Sequence, residues 1–192
     1  MYLSDGNKKI DKACKVWNLP TTVCFGKGKQ CKGKQCKGCY AKKAEYLYPA
    51  VMPCRTNNLK ASVKSSFVFL MNLKLKFTRK TLFRIHESGD FYSQVYLNKW
   101  AEICINNPKI NFYGYSKKFD KLDFNLLNSL ENVNIINSIP KGILNFGNVD
   151  YCKDLVKNKG FFQCPCEIDK TVKCMKNCFV CLHAEKVCFI KH

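Results

Sequence analysis

The sequence predicts an α/β protein: a partial barrel or small parallel sheet with helical crossovers, flanked by cysteine-rich metal-binding N- and C-terminal segments. Three observations predict it. Helix-spaced and strand-spaced apolar residues alternate through the middle of the chain. Fourteen cysteines crowd towards the two ends. The length of 192 residues suits a single domain over 1–192.

The cysteines divide the chain. Residues 1–54 hold Cys14, Cys24, Cys31, Cys36, Cys39 and Cys54; residues 55–163 hold Cys104 and Cys152; residues 164–192 hold Cys164, Cys166, Cys174, Cys178, Cys181 and Cys188. The middle part reads as the α/β core. Leu59, Val63, Phe67, Leu70 and Met71 recur at helical spacing, so 57–76 is expected to be a helix. Residues 81–86 read as a short strand. Tyr92, Val95, Tyr96, Trp100, Ile103 and Cys104 fall on one helical face, and Asn107-Pro108 stops that helix. Cys104 is therefore expected in the core. Residues 110–115 form a second strand, Leu122, Leu126, Leu127 and Leu130 a helix, and residues 133–137 a third strand. This β-α-β-α-β order calls for parallel strands with right-handed crossovers. A complete eight-fold barrel needs about 250 residues, more than are present.

Cysteine at this density means either a disulfide framework or metal ligation in a reducing compartment. The start, Met1 to Lys9, has no apolar signal core, and no apolar run reaches the roughly 20 residues of a membrane span. A cytoplasmic location without membrane insertion is expected, and with it metal ligation rather than disulfides. Cys174-x3-Cys178-x2-Cys181 places three thiols within one short loop, with Cys164 or Cys166 to close a fourth position. Cys188, His183 and His192 are spare candidates. At the other end, Cys31-x4-Cys36-x2-Cys39 lies in a glycine- and lysine-rich stretch, with Cys24 upstream. That stretch has no apolar periodicity, and a bound metal would order it. Both sets suit a [4Fe–4S] cluster; zinc is the alternative.

The net charge of +19 points to a polyanion partner, nucleic acid first. Only three arginines are present, Arg55, Arg79 and Arg84, so bidentate phosphate forks are scarce.

Candidate catalytic residues cluster in Arg84-Ile85-His86-Glu87-Ser88-Gly89-Asp90-Phe91, where the first core strand ends. Carboxyl ends of parallel strands are where α/β proteins build sites. His86, Glu87 and Asp90 are the expected acid/base or ligand groups. Arg84, Ser88, Ser116, Lys117 and Asn137 are the expected substrate-binding groups. The structural alternative is that Ser88 or Asp90 only caps the next helix. Truncation of His86 to alanine is expected to leave folding and metal content intact while abolishing any activity.

These blocks also carry a resemblance. Leu19-Pro-Thr-Thr-Val-Cys24, Cys36-Lys-Gly-Cys39-Tyr-Ala41, Phe83-Arg-Ile-His-Glu-Ser-Gly-Asp-Phe91, Phe112-Tyr-Gly-Tyr-Ser-Lys117 and the terminal cysteine cluster look like the gene-product-eighty-eight family of phage and mobile-element proteins. The resemblance implies a phage or plasmid setting. A weaker similarity is to radical S-adenosylmethionine enzymes, which hold a [4Fe–4S] cluster on three cysteines at x3 and x2 spacing. Cys174, Cys178 and Cys181 have that spacing but lie late in the chain; Cys31, Cys36 and Cys39 lie early, with a first gap one residue longer. It implies S-adenosylmethionine as a cofactor. Two functions are thus expected to compete: an iron–sulfur enzyme of radical type acting on nucleic acid or a nucleotide, and a zinc-stapled basic nucleic-acid-binding module without catalysis. An electron-transfer protein is a third reading, against which the large α/β middle argues.

Overall fold

The computed structural model describes residues 1–7, 10–24, 39–137, 156–169 and 171–188. Its centre is an open five-stranded sheet in sequential order: β1 (Ser4–Asp5), β2 (Cys14–Trp17), β3 (Leu82–Ile85), β4 (Asn111–Ser116) and β5 (Val133–Asn137). β1 pairs antiparallel to β2; the other three pairings are parallel. No barrel closes, so of the two expected architectures the sheet is the one present. Two of its strands come from the N-terminal segment, which is therefore part of the core sheet rather than a metal-binding extension alone.

Parallel strands bury both faces, and here each face has its own cover. Trp17, Phe83, Ile85, Phe112, Val133 and Ile135 point to the helical side. There α3 (Phe67–Phe77) contributes Phe67, Met71 and Leu75 at i, i+4 and i+8, and α4 (Gln94–Ile105) contributes Tyr96, Trp100, Ile103 and Cys104. Rings meet at 5.4 Å for Trp17–Phe67, 5.6 Å for Phe83–Trp100 and 5.4 Å for Phe83–Phe112. Each such side chain contributes about 1.5–3 kcal/mol by leaving water. Ser93 caps α4, its side chain accepting from Tyr96 N at 3.2 Å. The cap is therefore neither Ser88 nor Asp90.

The helix expected over 57–76 is two helices, α2 (Val51–Ser62) and α3, separated by residues 63–66. The buried side of α2 is polar: Arg55, Asn58 and Ser62. Asn58 Nδ2 donates to the carbonyls of Tyr2 and Asn18 at 2.8 and 3.0 Å, and Arg55 donates to Ala41 O and Glu45 Oε1, both at 2.9 Å. An apolar pattern does not reveal a helix docked by hydrogen bonds. α1 (Tyr40–Leu47) precedes it, and α5 (Asn125–Asn128) is a single turn.

The opposite face holds Cys14, Leu82, Tyr113, Tyr115 and Ile136, packed with Ile10 and the C-terminal cysteine-rich segment. That segment is fastened by a bridge between Ile10 and Cys174, by Asp11 N donating to Cys174 O at 2.8 Å, and by Asn134 Nδ2 donating to the carbonyls of Cys181 and Ala184 at 3.0 Å each. Two short strands, β6 (Phe162–Gln163) and β7 (Val187–Cys188), pair within it. Gly114 is required where β4 meets β3: a Cβ there would stand 2.5 Å from Ile85 O. No helix among the described residues is long and apolar enough to cross a membrane.

Candidate metal centre

At the carboxyl ends of the strands, His86, Glu87, Ser88 and Asp90, expected to act on a substrate, are each hydrogen-bonded within the protein. His86 closes β3 in the left-handed region, at φ 63°, with its N–H donating to Trp17 O at 2.9 Å. Its ring is buried; Nε2 meets the Tyr96 hydroxyl at 2.9 Å, and that hydroxyl accepts from Trp17 Nε1 at 2.9 Å. Nδ1 has no partner. Burial pulls the imidazole down to about 3, so it is neutral at ordinary pH. Asp90, also buried, accepts from Ser116 Oγ at 2.6 Å, Phe91 N at 2.8 Å and Lys117 N at 3.0 Å. Burial pushes its carboxyl above the usual range, and the Ser116 hydroxyl opposes that.

Ser88 Oγ donates to Leu19 O at 3.0 Å, and the backbone N–H groups of Glu87 and Ser88 both donate to Asn18 Oδ1 at 2.8 Å. Glu87 accepts from Asn7 Nδ2 at 2.6 Å through its carboxylate and from the Tyr40 hydroxyl at 2.6 Å through its carbonyl. Gly89, at φ 84°, presses on Leu19, whose Cβ would lie 2.6 Å from an added methyl. His86 to Asp90 thus form a buttress joining the ends of β2, β3 and β4. Asn137 lies at the end of β5.

The thiols gather on the other face of the sheet. The Cys166 thiol lies near those of Cys174 and Cys178, and the Cys174 thiol near that of Cys181. Tyr115 donates its hydroxyl to Cys181 Sγ at 2.8 Å. Cys174 and Cys178 form a tight loop, with a bridge between them, Met175 N donating to Cys178 O at 2.9 Å and Met175 at φ 62°. The hydrogen bond from Cys174 holds the Cys181 thiol below its usual value; burial opposes this and Tyr115 reinforces it. Burial, then the neighbouring thiols of Cys174 and Cys178, push Cys166 up to about 12. Burial pushes Cys164 and Cys14 up to about 12 as well. The thiols are linked in pairs; among the described residues no group of three or more His, Cys, Asp or Glu side chains is arranged around a metal position.

Cys31, Cys36, Cys152 and His192 lie outside the described residues. Cys24 ends a 3₁₀ turn over Thr21–Cys24, and Cys39 stands just before α1. Glu45 fixes that turn by accepting from Thr21 N at 2.8 Å and Thr21 Oγ1 at 2.6 Å. Cys24 and Cys39 both lie near Tyr40, whose hydroxyl donates to the Glu87 carbonyl. Ten described cysteines are not disulfide-bonded. Cys188 is disulfide-bonded, which removes it as a spare ligand and, at this cysteine, runs against the expectation of metal ligation rather than disulfides.

Sequence reasoning missed Cys14, Tyr113 and Tyr115 as parts of this face. Strand alternation in 111–116 would have placed Tyr113 and Tyr115 together. Arg84 is on the same face, its guanidinium carbon 5.9 Å and 5.4 Å from the Tyr113 and Tyr115 ring centroids.

The gene product 88 family matches residues 1–142. The Gene 88 protein of Mycobacterium phage L5 is 29% identical over 90 residues. That alignment covers 41% of this chain and 38% of the relative's length. No solved structure matches the chain. The C-terminal thiols lie beyond the matched residues.

Proposed function

The chain belongs to the gene product 88 family of phage proteins, and we propose that it is a metal–thiolate protein in which Cys166, Cys174, Cys178 and Cys181 hold one divalent ion, zinc first. The observation that supports this is the nearness of those thiols under one face of the sheet, Cys166 to Cys174 and Cys178, and Cys174 to Cys181. They come from turns, a one-turn helix and a short 3₁₀ turn rather than from long elements. Four sulfurs suit zinc, a closed structural site in which the ion contributes folding energy. The ion would fasten the C-terminal segment over the sheet face.

This favours the metal-stapled binding module over the radical-type iron–sulfur enzyme. His86, Ser88, Asp90 and Ser116 hold strand ends together, which supports positioning of loops more than contact with a substrate. The excess of basic residues supports nucleic acid as the partner of such a module. Nucleic-acid affinity that falls steeply with salt is then expected.

The test is thiol footprinting of the full chain purified without oxygen. Cys166, Cys174, Cys178 and Cys181 are expected to resist alkylation until a chelator is added, and then to react together. Equal reactivity with and without chelator would exclude a resident ion at this set.

A further inference from the structure

Helix α3 is apolar on two sides, and the fold covers one of them. Phe67, Met71 and Leu75 are buried in the core under the helical face. Phe69, Leu73 and Phe77 repeat the same i, i+4, i+8 spacing two residues later, which turns them about 200° around the helix. They face solvent, Phe69 being 69% and Phe77 77% exposed, and the exposed Leu70 extends the stripe. A helix apolar on all sides belongs in an interior, and a bare apolar stripe of this kind marks a contact surface.

Shape and charge describe what covers it. Beside the stripe, between α3 and the end of α4, lies a hollow of about 400 Å³ lined by Phe69, Asn72, Leu73, Lys76, Asn106 and Asn107. Asn107 Nδ2 donates to Asn72 Oδ1 at 2.7 Å, so one side of the hollow is polar and the other apolar. A groove alongside an i, i+4 ridge is what the apolar side of another helix packs into. The charge around it has one sign. Lys74 borders the stripe on one side and Lys76 on the other, and both are exposed. Lys64 and Arg79, also exposed, stand just before and just after the helix. Residues 46–86 contain no Asp or Glu. A second copy of this chain would set these cations against their own kind. A nucleic-acid backbone would meet the lysines but leave Phe69 and Phe77 in water. An acidic amphipathic helix satisfies both the stripe and its flanks.

We propose that the outer face of α3 is a docking surface for an amphipathic helix of an acidic protein partner, with apolar side chains on Phe69, Leu73 and Phe77 and carboxylates on Lys74 and Lys76. This is independent of the metal–thiolate reading, because α3 covers the sheet face away from the cysteine-rich segment.

The experiment uses the full chain and synthetic peptides of about 18 residues, long enough to hold a helix. One carries leucine at i, i+4, i+7 and i+11 with flanking glutamates. The second has lysine in place of glutamate, and the third is a scrambled form of the first. Binding is read by fluorescence anisotropy at physiological ionic strength, where distant charges are screened. The glutamate peptide is expected to bind wild type, and the other two are not expected to displace it. Phe69→Gln/Phe77→Gln, at exposed positions that glutamine suits, is expected to bind it about tenfold or more weakly. Lys74→Glu/Lys76→Glu is expected to erase the preference for the glutamate peptide over the lysine peptide. Should the double glutamine variant fail to fold, Leu73→Gln supplies the same comparison.

A glutamate peptide that binds no better than its scrambled form would overturn the proposal. So would equal binding to wild type and to Phe69→Gln/Phe77→Gln. Wild type that dimerises in sedimentation while the double glutamine variant stays monomeric would overturn it in favour of a second copy. Binding to phosphatidylglycerol vesicles that the same variant loses, without peptide binding, would overturn it in favour of a lipid surface.

Discussion

The two faces of one sheet are built on different principles. The helical face is closed by its own apolar bulk: Trp17, Phe67, Phe83, Trp100 and Phe112 are buried against one another. The other face is a thin layer of Tyr113, Tyr115, Arg84 and Cys14 under a segment with little regular structure. The first face holds whatever ions are present. The second has little area to bury and relies on polar fastenings such as Asn134 to Cys181 and Ala184. Under the proposed metal–thiolate reading, the ion would act where apolar burial runs out.

The largest expected effect breaks the second face alone. Cys174→Ser combined with Cys181→Ser should abolish metal binding and expose residues 156–188 to proteolysis and hydrogen exchange, while amides of β3 and β4 stay protected. Joint loss of protection in both regions would mean that the faces are not separable. Phe83→Ala breaks the first face instead. Truncating a buried phenylalanine should cost about 3–5 kcal/mol in denaturant unfolding, with no loss of metal stoichiometry in the folded fraction.

Gly114→Ala probes the plane between the faces. A methyl 2.5 Å from Ile85 O must push β3 and β4 apart, for a loss of about 1–3 kcal/mol. A smaller effect concerns pH. His86 is held neutral in the fold, its value lowered to about 3 by burial, while in the unfolded chain it takes up a proton near pH 6.5. Stability is therefore expected to fall as pH drops below 6.5, by about 1.4 kcal/mol per pH unit from this group. His86→Asn, which tolerates the positive φ and does not titrate, should flatten that slope in unfolding measurements at several pH values.

The parts that were legible in the sequence were the local ones. The strands expected at 81–86, 110–115 and 133–137 are found at Leu82–Ile85, Asn111–Ser116 and Val133–Asn137, because large apolar side chains alternate there. The spacing of Cys174, Cys178 and Cys181 likewise marked the thiol loop. What escaped was non-local. Nothing near His86 signals that Tyr96 and Trp17 complete its hydrogen-bond chain, or that Asn18 holds Ser88 from 70 residues away. Because the His86 ring is buried and bonded to Tyr96, His86→Ala is expected to lower stability, which denaturant unfolding would measure. Alternation placed Arg84 opposite Ile85 but could not say which side the helices cover. β2 was missed because Cys-Lys-Val-Trp is too short a pattern among so many cysteines.

The account stands on sulfur-bound metal in the C-terminal segment. X-ray absorption with elemental analysis on anaerobically purified full-length chain measures it directly. Four sulfur neighbours at about 2.3 Å around a stoichiometric zinc ion are expected, lost in Cys174→Ser/Cys181→Ser. Protein without bound metal, or an ion retained by that double variant, would contradict it.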